Sequence, residues 1–98
     1  NNERQVFTIE LKRDKLNVSE LKEAVAQVDS YSDYLLRAYS TYGLNTVAKK
    51  IIICNGFKRD CLKDKNLKSF LHKNNIKILF YEIINKTPKL KNFTDKTG

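Results

Sequence analysis

The sequence predicts an α/β domain, a β-α-β-α-β chain whose mixed, mostly parallel sheet is flanked by helices. Three observations predict it. Residues 4–12 alternate side chains at a period of two, the spacing of a strand. Residues 17–42 carry Leu21, Ala24, Val25, Val28, Leu35 and Tyr39 at helical spacing, a stripe that a helix buries. Ile51-Ile52-Ile53-Cys54 is a continuous β-branched run of the kind covered on both faces of a parallel sheet. Strand, long helix and second strand make a crossover unit of right-handed sense.

In the first strand, alternation sends Phe7, Ile9 and Leu11 to one face, expected to be the core. Val6, Thr8, Glu10 and Lys12 take the other face, which sets a carboxylate and an ammonium group ~7 Å apart. Arg13-Asp14-Lys15 is a charged exit. Asn17 can cap the following helix, and Glu20, three residues on, can complete a capping box. That helix runs to about Tyr39 or Tyr42, and Gly43 tolerates the left-handed geometry of a helix stop. Lys49-Lys50 leads into the strand at 51–54, bounded by Asn55-Gly56. Residues 60–74 read as one helix with Leu62, Leu67, Phe70 and Leu71 inward. Residues 76–84 read as a third strand, with Ile76, Ile78 and Phe80 on one face and Leu79, Tyr81 and Ile83 on the other. Beyond Asn85 the chain is polar and lysine-rich, and Pro88 is expected to break any strand. Residues 1–84 therefore form the domain, and 85–98 a basic tail or edge segment.

Ninety-eight residues make one domain or part of one, and 41% hydrophobic content supports a modest core. No apolar run approaches the length of a membrane span, and there is no secretory leader, so no membrane partner is expected. Lys+Arg 19 against Asp+Glu 11 gives +8, which predicts salt-sensitive attraction to a polyanion such as DNA. A lysine- and asparagine-rich background produces the same charge without any such partner. Two cysteines, Cys54 and Cys61, are fewer than a small secreted scaffold carries, so reduced thiols and a cytoplasmic setting are expected. With His72 they lack the spacing and the fourth ligand of a zinc site, and three glycines build no phosphate loop. The sequence contains no methionine and a strand starts almost at residue 1, so upstream residues are expected to be missing.

Glu10-Leu11-Lys12 alone is a weak signal in so lysine-rich a chain. It gains weight from Gln27 and Tyr31, four residues apart on one face of the next helix, at the flank of its buried stripe. An E-x-K strand followed about fifteen residues later by a Q-x-x-x-Y helix resembles the PD-(D/E)XK nuclease superfamily. The likeness is to its branch with the Gln/Tyr helix, which includes helicase-linked nucleases and mismatch-type endonucleases. It covers roughly residues 5–84, and Ile9-Glu10-Leu11-Lys12-Arg13 looks like that family's core strand.

The resemblance implies a restriction-endonuclease-like fold and metal-dependent hydrolysis of DNA phosphodiesters. Glu10 would ligate Mg²⁺ or Mn²⁺, hard ions suited to carboxylate and water. Lys12 would stabilise negative charge developing on the phosphate or orient the attacking water. Gln27 and Tyr31 would position water, the metal's shell or the substrate backbone. Lys49, Lys50, Lys58 and Arg59 are candidates for phosphate contact. The family pattern also requires an acidic residue on a strand before the E-x-K strand, and here only Glu3 precedes Glu10 among carboxylates. Either a missing segment completes the site, or the chain is an inactive relative that binds nucleic acid or serves in assembly. Association with a second copy, with the missing segment or with a larger protein stays open.

Overall fold

The computed structural model describes residues 4–43 and 45–94. Seven elements follow one another: strand β1 (Arg4–Leu11), helix α1 (Val18–Thr41), strand β2 (Thr46–Cys54), helices α2 (Arg59–Lys63) and α3 (Leu67–Lys73), and strands β3 (Ile76–Ile84) and β4 (Thr87–Asn92). They build one four-stranded sheet in the order β1-β2-β3-β4. β1 pairs with β2 in parallel, β2 with β3 in parallel, and β3 with β4 antiparallel. This is the expected α/β class with its mixed, mostly parallel sheet. Among the described residues no helix is long and apolar enough to cross a membrane.

α1 starts where the capping residues place it. The Asn17 side chain accepts from the Glu20 amide at 2.7 Å, and the Glu20 carboxylate accepts from the Asn17 amide at 2.9 Å. Leu21, Ala24, Val25 and Val28 are fully or almost fully buried. Leu35 and Tyr39, expected in the same stripe, are only half-buried. Gly43, at φ +71°, takes the left-handed position just past the end of the helix.

Both crossovers lie over the same face of the sheet. Leu16, Leu21, Ala24, Val25, Val28, Leu67 and Leu71 close on Ile52, Cys54, Ile76 and Ile78 to form the core. This overturns two expectations. Phe7, Ile9 and Leu11 do not enter the core but stand 56%, 51% and 71% exposed, and Thr8 on the opposite face is buried. β2 is not covered on both faces either: Ile52 and Cys54 are sealed, whereas Ile51 and Ile53 are half-exposed. Alternation reveals that a strand has two faces; where the helices go decides which face is dry.

Three further differences are local. The expected single helix over 60–74 is broken into α2 and α3. Asp64 is extended, and its carboxylate accepts from the Asn66 amide in a turn that competes with helix continuation. Leu62, expected inward, is 67% exposed, because the short α2 turns it away from the sheet. Finally, Pro88 does not prevent strand formation. β4 is an edge strand joined to β3 by a two-residue turn, with Asn85 and Lys86 at φ +50° and +63°. Ile84 and Thr87 close that turn, so Pro88, one position further opposite Ile83, falls where an edge ladder asks for no N–H. Of the expected tail, residues 95–98 lie outside the described residues.

Candidate functional site

Because α1 covers the Thr8-Glu10-Lys12 face of β1, the polar side of this strand is the enclosed side. Thr8 is buried, and Glu10 and Lys12 are partly buried at the carboxyl end of the strand. The Lys12 ammonium lies 3.3 Å from the Glu10 carboxylate and donates to Gln27 Oε1 at 3.1 Å. Three of the four residues named from the sequence are thus in one cluster, with strand and helix each contributing. An ammonium group has three donors, and two of Lys12's are directed at Glu10 and Gln27, so one remains for a further acceptor.

Tyr31 lies one turn beyond Gln27 on the same face of α1. α1 descends as β1 rises: Gln27 meets Lys12, and Asp29 accepts from Lys50, which pairs in register with Thr8. The Tyr31 ring is 59% exposed, and its hydroxyl has no partner among the described residues. It makes no hydrogen bond to the cluster.

The four proposed phosphate contacts do not form one patch. Lys49 points to the uncovered face of the sheet, while Lys50, beneath α1, is committed to Asp29 at 2.6 Å. Lys58 and Arg59 open α2 beside the end of β1: the Lys58 amide donates to Leu16 O, and its ammonium lies 3.8 Å from Glu20. Arg13 and Lys15 occupy the same end of the sheet, where Arg13 O accepts from the Tyr81 hydroxyl and Lys15 lies over Gly56. Arg13 shares a cleft with Lys12, and Lys15, Lys58 and Arg59 belong to the same end of the sheet. In the sequence Arg13 and Lys15 are visible only as a charged exit.

Sequence reasoning also gave no role to Thr8, Glu23 or Asp29. Thr8 Oγ1 is buried with no hydrogen-bond partner among the described residues. Glu23, one turn before Gln27, shares a cleft of about 180 Å³ with Lys12, Arg13 and Glu20. The period-two face of β1 and the i, i+4 face of α1 were the signals that could have found Thr8 and Glu23.

Among the described residues no three His, Cys, Asp or Glu side chains converge as metal ligands. Glu10 supplies one carboxylate, and the Gln27 oxygen beside it is occupied by Lys12. That donor set falls short of the six or more oxygens a divalent cation takes, even with water filling several positions. The two thiols lie in the core, free and buried. Burial pushes the Cys54 thiol up against the opposing pull of the Gly56 backbone hydrogen bond. Burial, reinforced by Asp60 and other negative neighbours, pushes Cys61 up to about 11. Both are protonated near neutrality, so neither is poised as a nucleophile. No protein-family model, curated protein or solved structure matches this chain.

Proposed function

We propose that the chain carries the E-x-K strand and Gln/Tyr helix of a PD-(D/E)XK-like nuclease domain that acts on DNA in a cytoplasmic setting. The observation supporting this reading is the Glu10–Lys12–Gln27 cluster, in which one strand and one helix converge their polar groups at the carboxyl end of a parallel strand. In α/β sheets this is the end at which ligands bind. Lys12 is held at a fixed point by two acceptors, so its remaining donor can meet charge developing on a phosphoryl oxygen without reorganising. Arg13, Lys15, Lys58 and Arg59 would track the substrate backbone around it.

The described residues do not by themselves fit a Mg²⁺ or Mn²⁺ site. Metal-dependent cleavage requires a further carboxylate from outside the described residues. The same shortage favours a second reading, a nuclease-like module that binds nucleic acid or takes part in assembly without cutting.

A fluorescent DNA duplex titrated at two salt concentrations, with plasmid nicking in Mn²⁺ alongside, tests both. For about four phosphate contacts, affinity is expected to fall roughly a hundredfold between ~50 and ~200 mM salt. Nicking that drops about 10²- to 10³-fold in Lys12→Ala supports catalysis. Salt-sensitive binding with no nicking supports the module. Absence of binding at low salt overturns both.

A further inference from the structure

The sheet has a second face that the nuclease reading does not use. All three helices pack against the side bearing Thr8, Ile52 and Ile78, which leaves the side bearing Phe7, Ile9, Ile51 and Ile53 uncovered. Strand register makes this face continuous across the sheet, from Leu11 through Ile53 to Leu79, and along the hairpin to Ile83. Parallel strands are ordinarily covered on both faces, and an exposed apolar surface spanning several strands marks a place of interaction.

The charge on this face is of one sign. Among the described strand residues its only charged side chains are Lys49 and Lys77, and none of them places a carboxylate on it. Neither lysine has an ion-pair partner among the described residues. Both border a hollow of about 990 Å³ at the amino ends of the strands, whose wall runs from Phe7 and Ile51 on this face round to Lys50, His72 and Ile76. The surface thus combines an aliphatic floor with two unneutralised cations.

We propose that this face docks an amphipathic helix with acidic flanks, carried by a partner protein. A helix is the element that covers parallel strands, and Asp or Glu beside its apolar stripe would meet Lys49 and Lys77. A second copy fits poorly, because stacking two such faces would oppose four lysines between chains that each carry +8. A nucleic-acid strand would find mostly branched aliphatic side chains where it needs rings to stack on. The proposal is independent of the chemistry assigned to Glu10 and Lys12, which project from the opposite face.

The test uses two synthetic helical peptides of about five turns, with the same leucine stripe but flanks of glutamate in one and lysine in the other. Each is titrated into the ¹⁵N-labelled chain. The glutamate peptide is expected to shift the amides of Phe7, Ile9, Ile51 and Lys77, and the lysine peptide to leave them unmoved. The double variant Lys49→Glu, Lys77→Glu should bind the glutamate peptide about tenfold more weakly and reverse the preference. Ile9→Ser, a change at an exposed side chain that the fold tolerates, should also weaken it. Equal binding of both peptides, binding of neither, or shifts confined to the helical layer would overturn the proposal. So would a dimer in sedimentation that Ile9→Ser dissolves, or an oligothymidylate that moves this face instead.

Discussion

Thr8 is the most informative single residue outside the Lys12 cluster. A buried hydroxyl without a partner costs ~1–3 kcal/mol relative to one that is satisfied, and valine has the same shape without that atom. If the hydroxyl has no task, Thr8→Val should stabilise the chain by ~1 kcal/mol in urea titration. If it holds substrate or water at the site, the variant should gain that stability and lose DNA affinity. Cys61 offers a pH test. Its folded pKa is raised, to about 11 from 9.0, by burial and negative neighbours. The stability it contributes is fully present below about pH 9 and lost as pH rises toward 11. The melting temperature should therefore fall across that window, and in Cys61→Ala the fall should be shallower. Glu10, Lys12 and Gln27 were legible as a set because period two and period 3.6 each place side chains without tertiary knowledge. Asp29 was not, because its partner Lys50 was assigned to phosphate contact, and no local spacing links positions 29 and 50.

At the level of elements, local chemistry set the boundaries most firmly. The capping box at Asn17 and Glu20 is formed by both of its reciprocal bonds, and Asn17→Ala should cost about 1 kcal/mol, read as a lower denaturation midpoint with unchanged slope. Gly43 ends α1 as its backbone freedom requires. Where element boundaries were misjudged, a local competitor had been overlooked. The Asp64 side chain ends α2 by offering the backbone a turn, which a count of leucines over 60–74 does not register. Pro88 was read as a strand breaker, but its effect depends on which way its nitrogen faces. At an edge, two residues from a tight turn, the missing donor leaves the ladder whole.

For the molecule as a whole, the order β1-β2-β3 with every helix on one side produces a two-layer structure with one dry face and one open face. The first strand's more apolar face is the open one, which no hydropathy pattern in this chain foretells; residue preference said inward and topology decided otherwise. Ile52 and Ile9 give a direct contrast. Ile52→Ala empties a sealed site and should cost ~2–5 kcal/mol, whereas Ile9→Ala removes a half-exposed side chain and should cost under ~1 kcal/mol by the same denaturation measurement. The register that sets Arg4 opposite Thr46 carries a kinetic consequence. That pairing closes the longest loop in the sheet, spanning all of α1, whereas β3 and β4 meet across two residues. Loop closure favours the hairpin as an early partner and β1 as a late arrival. Lys12 then reaches Gln27 only in the final steps of assembly, so a chain stalled on the way would hold most of its sheet and none of its polar corner.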